Sequence, residues 1–263
     1  NSDNRVDFAV GGEAYSSSTG RVYIFNNDGS IPTAASSADV TITGGATGDL
    51  FGKSLAAGDF DADSKTDLAV GASDYSSSTG RAYIFYGDGS IPTTAGTADI
   101  TITGDASTKF GIALASGDMN TDGKMDLVVG ATTVSTSTGA AYIFYGDGSI
   151  PTAASSADVT ITGEASSYFG YTLAVGDLNA DGKTDLVASN DYTNATYSKV
   201  YVFYNDGSIV TSAGSADRIY YSTSENPGRS LLVMDINLDG KPDIIAGDPE
   251  YSSSTGRMYS YII

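Results

Sequence analysis

The chain contains one unit written five times, and this repetition limits its possible folds more than any other feature. The unit is marked by the segments "NSDNRVDFAVGG" from residue 1, "DADSKTDLAVGA" from 61, "NTDGKMDLVVGA" from 120, "NADGKTDLVASN" from 179 and "NLDGKPDIIAGD" from 237. Its last aspartate recurs at steps of 60, 59, 59 and 58 residues. A fixed period of this size predicts a repeat architecture. We therefore expect a single domain over residues 1–263, with repeats at approximately 1–49, 50–108, 109–167, 168–226 and 227–263.

Each repeat holds four short apolar segments separated by turn-forming residues. In the second repeat they are "SLAAGD", "DLAVGA", "RAYIFY" and "ADITITG", and none has the spacing of an amphipathic helix. The first is rich in small residues, as expected where strands converge, and the fourth alternates like an outer strand with one wet face. These features predict an all-β fold, a β-propeller of four-stranded antiparallel blades. An open stack of hairpins is the main alternative.

The first and last repeats are incomplete. The chain starts in the turn after the first strand of a repeat and stops after the third strand of the last one, which predicts eighteen strands where five full blades need twenty. We expect the two remaining strands to come from an upstream segment or from a neighbouring molecule.

The composition excludes several classes of protein. The 263 residues carry a formal net charge of −19 and include no histidine and no cysteine. Such an acidic surface repels phosphate backbones, so we expect no nucleic-acid partner. Without imidazole or thiolate groups, most nucleophilic and transition-metal chemistry is lost. No apolar run approaches the roughly 18 residues needed to cross a bilayer, so no membrane insertion is expected.

The turns between the first and second strands carry oxygen donors at positions one, three, five and nine. The donors are Asp59, Asp61, Asp63 and Asp67, then Asp118, Asn120, Asp122 and Asp126, then Asp177, Asn179, Asp181 and Asp185, and finally Asp235, Asn237, Asp239 and Asp243. The position-seven carbonyls can complete the shell, and they belong to Lys65, Lys124, Lys183 and Lys241. Hard oxygen donors with three or four negative charges in one flexible loop are typical of calcium sites. We therefore predict four complete Ca²⁺ sites.

A fifth, partial site is predicted at the start of the chain, where Asn1, Asp3 and Asp7 lack the first ligand of the set. A calcium hand with flanking helices is excluded, because position twelve holds valine or alanine where that motif needs a bidentate glutamate. Simple Asp-Gly hairpin turns need only one or two such residues. Fifteen of the 32 acidic residues lie in these turns, so calcium would relieve their mutual repulsion. Such loops are expected to bind at ~0.1 to 1 mM, which favours an extracellular or cell-surface location.

Two further motifs recur with the calcium loops, the pairs Phe51-Gly52, Phe110-Gly111 and Phe169-Gly170 and the pairs Gly71-Ala72 and Gly130-Ala131. In these pairs and loops the chain resembles the FG-GAP repeats of integrin α-subunit propellers and their bacterial calcium-binding relatives. Pro227-Gly228 replaces one Phe-Gly pair, and we align Ala188-Ser189 with one Gly-Ala pair. The resemblance implies an integrin-like propeller, usually of seven blades, so the five visible repeats could form part of a larger ring.

In such a meander the turns after the second strands lie opposite the calcium loops. They read "YSSSTGR" at 15–21, 75–81 and 251–257, and tyrosine, serine and threonine suit adaptable polar contacts. The alternative is that they are solvated turns whose tyrosines cover a blade edge. We expect a non-enzymatic adhesion or protein-binding module with a protein or glycan ligand on this face. A carbohydrate-binding lectin and a purely structural repeat scaffold are the alternatives.

Overall fold

A computed structural model describes residues 5–30, 32–190, 197–222, 226–249 and 251–263, and it contains five antiparallel sheets. Sheet I comprises β1 (Phe8–Gly11), β2 (Arg21–Phe25) and β3 (Val40–Thr43). Sheet II comprises β4 (Phe51–Gly58), β5 (Asp67–Ala72), β6 (Arg81–Phe85) and β7 (Ile100–Thr103). Sheet III comprises β8 (Ala113–Gly117), β9 (Asp126–Ala131), β10 (Ala140–Phe144) and β11 (Val159–Thr162). Sheet IV comprises β12 (Phe169–Gly176), β13 (Asp185–Asn190), β14 (Ser198–Phe203) and β15 (Arg218–Ser222), and sheet V comprises β16 (Ser230–Met234), β17 (Asp243–Asp248) and β18 (Arg257–Tyr261).

Each sheet is a meander in which consecutive strands pair, as the repeat pattern predicts. The described residues form eighteen strands, with three in each terminal sheet and four in each of the others. The first strands of successive sheets lie against one another, β4 against β8, β8 against β12 and β12 against β16, while β1 lies against β4. This convergence of inner strands is the blade arrangement of a β-propeller, so the predicted fold class is confirmed. In the part of the chain that the structure describes, no contact of similar extent joins sheet V back to sheet I.

Close backbone contacts join neighbouring sheets. The carbonyl oxygen of Gly170 lies 2.0 Å from where a Cβ on Gly130 of the preceding sheet would stand, and Gly139 forms a parallel bridge with Phe169. The same contacts recur between Gly11 and Gly52, Gly20 and Phe51, Gly71 and Gly111, and Gly80 and Phe110. A side chain at Gly130 or Gly139, or at the matching glycines of sheets I and II, would push the two sheets apart. This explains why the Gly-Ala pairs begin with glycine.

The junction of sheets IV and V uses side chains instead. Strand register places Ser189, and not Ala188, at the position that Gly130 occupies in sheet III, so the sequence alignment of that pair was wrong by one residue. The Ser189 Oγ donates to the Gly228 carbonyl at 2.8 Å, and the Ser198 Oγ donates to the Pro227 carbonyl at 2.6 Å. At this junction serine hydroxyls therefore donate to the two carbonyls. At the other junctions the equivalent carbonyls fit against glycines, which have no side chain.

Each phenylalanine of a Phe-Gly pair lies at or just before the first strand of its sheet and packs against aromatic side chains of the third strand. Phe110 is fully buried and makes edge contacts with Tyr142 and Phe144, at centroid distances of 5.5 and 6.1 Å. Phe51 and Phe169 pack in the same way in sheets II and IV. The hydrophobic core therefore lies between the sheets and is repeated once per junction.

Short turns follow the second strands at Tyr15–Ser18, Tyr75–Ser78, Val134–Ser137 and Tyr251–Ser254. They are not right-handed helices, because Ser76, Ser77 and Ser78 all have positive φ, at 47°, 57° and 66°. Left-handed backbone costs roughly 1–2 kcal/mol per residue, so other contacts must offset it. One such contact is the hydrogen bond in which the Ser78 carbonyl accepts the Lys109 amide of the next sheet at 2.8 Å.

Single 3₁₀ turns precede the outer strands at Ala35–Ser37, Ala95–Thr97, Ala154–Ser156 and Ala213–Ser215. Among the described residues, no helix has the length and apolarity that crossing a membrane requires.

Replacing Phe110 with alanine should lower the free energy of unfolding by about 3–5 kcal/mol, because it empties the junction of sheets II and III. Tyr221→Ala is the control, since this ring is 71% exposed on β15, and its effect should stay within about 0.5 kcal/mol. Chemical denaturation with calcium present measures both. Similar losses for the two variants would contradict the assignment of Phe110 as a junction residue.

Candidate metal centres

The four acidic loops share one hydrogen-bonded curl. In sheet II the Asp59 carboxylate accepts the amides of Asp63 at 3.1 Å and Ser64 at 2.8 Å. Asp61 accepts the Asp63 amide at 3.1 Å, and Asp63 accepts the Lys65 amide at 2.8 Å. The side chains at positions one, three and five therefore all accept backbone amides of their own loop.

The same hydrogen bonds recur in sheets III, IV and V at donor–acceptor distances between 2.8 and 3.2 Å. Position six is glycine with positive φ in these three loops, whereas Ser64 adopts the same left-handed conformation in sheet II. The loops involved hold Asp118, Asn120 and Asp122, then Asp177, Asn179 and Asp181, then Asp235, Asn237 and Asp239. Loop shape is thus the same whether or not glycine occupies position six.

Three carboxylates converge in the loop of sheet II. Oxygen atoms of Asp59, Asp61 and Asp67 lie within 4.8 Å of one another, and no other group of three carboxylates in the described residues comes this close. A single cation can touch three oxygen atoms at that separation. In the other complete loops, position three is asparagine, which offers a neutral amide oxygen. The donors are all hard oxygen atoms, so the set fits calcium by its chemistry.

Position nine has a role that the sequence analysis missed. Asp126 is buried, and its two oxygen atoms accept the amides of Met119 at 2.7 Å and Gly146 at 2.8 Å. Asp67 and Asp185 make the equivalent pairs of bonds. Each carboxylate therefore ties the acidic loop to the turn after the third strand. The only sequence signal is the constant spacing of 20 residues between each aspartate and the amide it binds in that turn.

Burial of the position-nine carboxylates disfavours their charged form. It raises the pKa of Asp126 to about 6, against the opposing effect of the Gly146 and Met119 amides, and the charges of Asp122 and Asp118 add to the rise. Burial also raises the pKa of Asp67 and of Asp185. These groups therefore gain most from a nearby positive charge.

The remaining predicted ligands divide into three groups. Asn1 and Asp3 lie outside the described residues, while Asp7 accepts the Asn27 amide at 2.7 Å like the other position-nine aspartates. Asp243 accepts the Ile236 amide at 3.2 Å, and its Oδ1 is buried with no hydrogen-bond partner among the described residues, an acceptor that a cation could satisfy. The position-seven lysines are predicted to act through their carbonyls, and that assignment stays a prediction. The Lys65 side chain pairs with Asp63 at 2.6 Å, so an exposed ammonium stands beside the loop.

A polar cluster breaks the repeat on the opposite side of sheet IV. Glu164 accepts hydrogen bonds from the Lys199 ammonium and from the Tyr201 hydroxyl, the latter at 2.9 Å. Burial would raise the pKa of Glu164, but these two donors hold it below its usual value. The sequence analysis found no polar cluster of this kind. The signal was the pairing of an acid with a base, because these two positions hold Glu164 and Lys199 here, Gly45 and Arg81 in the second repeat, and Asp105 and Ala140 in the third.

Two substitutions separate the structural from the metal-binding role of the loops. Asp126→Asn removes one acceptor from a buried amide, so it should lower the free energy of unfolding by about 1–3 kcal/mol even in chelator. Asp122→Asn, in the same loop but exposed, should have little effect in chelator and destabilise only when calcium is present. Denaturant titrations of both variants in chelator and in calcium provide the four values. Equal behaviour of the two variants in chelator would contradict the separate role of position nine.

Comparison with known proteins places these features in a family. The FG-GAP repeat matches residues 51–85, and the FG-GAP-like repeat matches residues 118–188 and 177–246, so the two together cover well over half of the chain. The chain is 34% identical over 159 residues to bovine phosphatidylinositol-glycan-specific phospholipase D, which covers 54% of this chain and 19% of the enzyme. It is 36% identical over 116 residues to rat integrin alpha-7, covering 40% of this chain and 9% of the integrin. It is 34% identical over 149 residues to integrin alpha-PS5 of Drosophila melanogaster, a match that covers 54% of this chain and 14% of the integrin.

The chain thus spans about a fifth or less of the length of these relatives. The matched segments contain the Phe51-Gly52 and Phe169-Gly170 pairs, which are seated at sheet junctions, and the four acidic loops with their common curl. Sequence, fold and junction geometry agree, and the chain belongs to the FG-GAP repeat family with an integrin-like β-propeller fold.

Proposed function

We propose that this chain is a calcium-stabilised, integrin-like propeller that acts outside the cell as an adhesion or protein-binding module. FG-GAP repeats of the integrin type suggest a protein-interaction module. That this chain binds an extracellular ligand is part of the proposal. The observation that supports the calcium part is the repeated curl, in which three side chains accept loop amides in every complete loop, together with the three carboxylates that converge in sheet II. Family membership supports the same assignment.

Calcium would stabilise the folded chain by neutralising the negative charge of the acidic loops. The residues that would hold it are those at positions one, three, five and nine of each complete loop. Four divalent ions would reduce the formal net charge of −19 to about −11, which weakens self-repulsion of the folded state. Because the loop amides already hold positions one, three and five, little ordering is needed when the ion binds.

The location follows from the affinity expected of such loops. An open loop without a bidentate clamp at position twelve belongs with sites of about 10⁻⁴–10⁻³ M, the range of extracellular modules. Cytosolic calcium would leave it unfilled. An extracellular or surface location is therefore the one in which the proposed stabilisation operates.

No catalytic role is proposed. The similarity to phospholipase D covers only 19% of that enzyme, so its activity is not carried over. The carboxylates of this chain are concentrated in the acidic loops, where they hydrogen-bond to backbone amides. The proposed function is therefore the binding of a ligand at the protein surface, without catalysis.

The face opposite the acidic loops is the proposed ligand surface, and its tyrosines are partly engaged. The Arg21 guanidinium lies 3.6 Å from the ring centroid of Tyr15 and its Nε donates to Thr43 at 3.3 Å. Arg81 and Tyr75 repeat this stack. This stacking supports the alternative that the rings cover a blade edge, while the 40% exposure of Tyr15 leaves ring surface for a ligand. A calcium-containing glycan array and a panel of extracellular proteins distinguish the lectin alternative from protein binding.

Calcium should raise the melting temperature of the chain, and chelator should reverse the rise. A site held at about 100 times its dissociation constant adds about 2.7 kcal/mol to stability, so four sites give a shift that calorimetry resolves easily. Titration calorimetry should count four ions, and magnesium at the same concentration should stabilise less. Identical melting curves in calcium and chelator would contradict the proposal.

A further inference from the structure

Asn205 connects the acidic loops of two neighbouring sheets. It lies in the turn after the third strand of sheet IV, and only 2% of its surface is exposed. Its backbone amide donates at 2.8 Å to Asp185, the position-nine carboxylate of its own sheet. Its side-chain Nδ2 donates at 2.8 Å to the carbonyl of Met119, which is position two of the acidic loop of sheet III. A single residue therefore contacts the loops of both sheets.

The Met119 end of this connection leads to the ligand set of sheet III. Met119 is only 3% exposed, and its amide donates to Asp126 at 2.7 Å. A buried chain of hydrogen bonds thus runs from Asp126 through Met119 and Asn205 to Asp185, and we call it the Asn205 link. Its two ends are carboxylates predicted to bind calcium in different sheets. Hydrogen bonds buried in series strengthen one another, so the two ends do not act independently.

The Asn205 link is specific to the junction of sheets III and IV. Gly87 and Gly146 hold the position of Asn205 in sheets II and III, where their amides make the same bond to a position-nine aspartate. A Cβ on Gly146 would lie 2.1 Å from the carbonyl of Met125, so a side chain does not fit there. In the part of the chain that the structure describes, no second hydrogen bond joins a complete acidic loop to this turn of the next sheet.

A cavity of about 100 Å³ lies beside the link, between the loop of sheet III and the turn of sheet IV. Its lining includes Asn120 of the loop and Gly207 and Ser208 of the turn. Across this space the loop and the turn do not touch. The direct connection between them is therefore the bond from Asn205, together with the apolar packing of the Met119 side chain.

We propose that Asn205 is a positioning residue that couples the calcium sites of sheets III and IV, so that occupation of one site raises the affinity of the other. When the sheet IV site is occupied, Asp185 is held in place and in turn holds the Asn205 amide. The Asn205 side chain then fixes the second residue of the sheet III loop, which needs less ordering to bind its own ion. This inference rests on the proposed calcium function and deepens it, and the coupling must be equal in both directions.

The test is a calcium titration of the full chain followed by proton–nitrogen NMR at about 0.15 M salt, where distant charges are screened. The amides of Gly123, Gly182 and Gly240 report the loops of sheets III, IV and V separately, because each donates to the position-one carboxylate of its own loop. Asp181→Asn weakens the site of sheet IV and leaves Asp185 intact. It should lower the calcium affinity reported by Gly123 about 3- to 10-fold, the effect of one hydrogen bond.

Three controls isolate the link. Gly240 is the internal control, since sheet V also borders sheet IV and its loop has no equivalent of Asn205, so its affinity should not fall. In the Asn205→Gly background, Asp181→Asn should leave the affinity reported by Gly123 unchanged. Asn27→Gly is the same substitution at the same position of sheet I, and it should preserve the coupling.

The reciprocal variant and the possible outcomes complete the test. Asp122→Asn should lower the affinity reported by Gly182 by the same factor. The coupling is overturned, with the calcium assignment intact, if Asp181→Asn leaves Gly123 unchanged or weakens Gly123 and Gly240 equally. Because this comparison keeps Asn205, it is decisive even when Asn205→Gly fails to fold. Unmoved amides at about 10 mM calcium, ten times the weakest dissociation constant expected, would overturn the calcium assignment and the coupling together.

Discussion

Backbone-to-backbone contact at the sheet junctions is the constraint on which the rest of this structure depends. A carbonyl oxygen 2.0 Å from a possible Cβ position leaves room for hydrogen alone, so the distance between sheets is set by the main chain. The phenylalanine of the pair then reaches its aromatic partners only because its backbone is already seated. The left-handed serine turns contribute a carbonyl to the same junction, which offsets their unfavourable backbone.

The acidic loops depend on that frame for their shape. Asp67, Asp126 and Asp185 are buried and each accepts amides from two different turns, so these three loops are tied at their ends to the turn after the third strand of the same sheet. The side-chain oxygens at positions one, three and five then accept amides within the loop. Because amide donors stabilise the charges in part, the loop can keep its curl while its net charge stays negative. A cation entering such a loop meets an arrangement already close to the bound one.

Much of this could be predicted from the sequence, because the repeat makes each feature visible several times. The period, the four apolar segments and the donors at alternate loop positions led directly to the strand number and to the inward curl. The second role of Asp126 could not be predicted, since its amide partner in the turn lies 20 residues away and nothing local marks it. Glu164 was missed although its repeat alone pairs an acid with a base at these positions, because its bonds to Lys199 and Tyr201 span 35 and 37 residues. The serine turns were located correctly, but their left-handed backbone was not predicted, because residues with a Cβ rarely adopt three left-handed conformations in succession.

The junction of sheets IV and V shows that the backbone constraint can be met in more than one way. At the junction of sheets III and IV, the Phe169 amide donates to the Thr138 carbonyl at 3.2 Å. Pro227 has no amide hydrogen, so that bond is impossible one junction later. The Ser198 hydroxyl instead donates to the Pro227 carbonyl, which reverses the direction of the hydrogen bond across the junction. A serine at a glycine position is thus tolerated where its hydroxyl finds the carbonyl that would otherwise exclude it. Gly247 and Gly256 hold the same two positions in sheet V, so among the five sheets only sheet IV uses serine there.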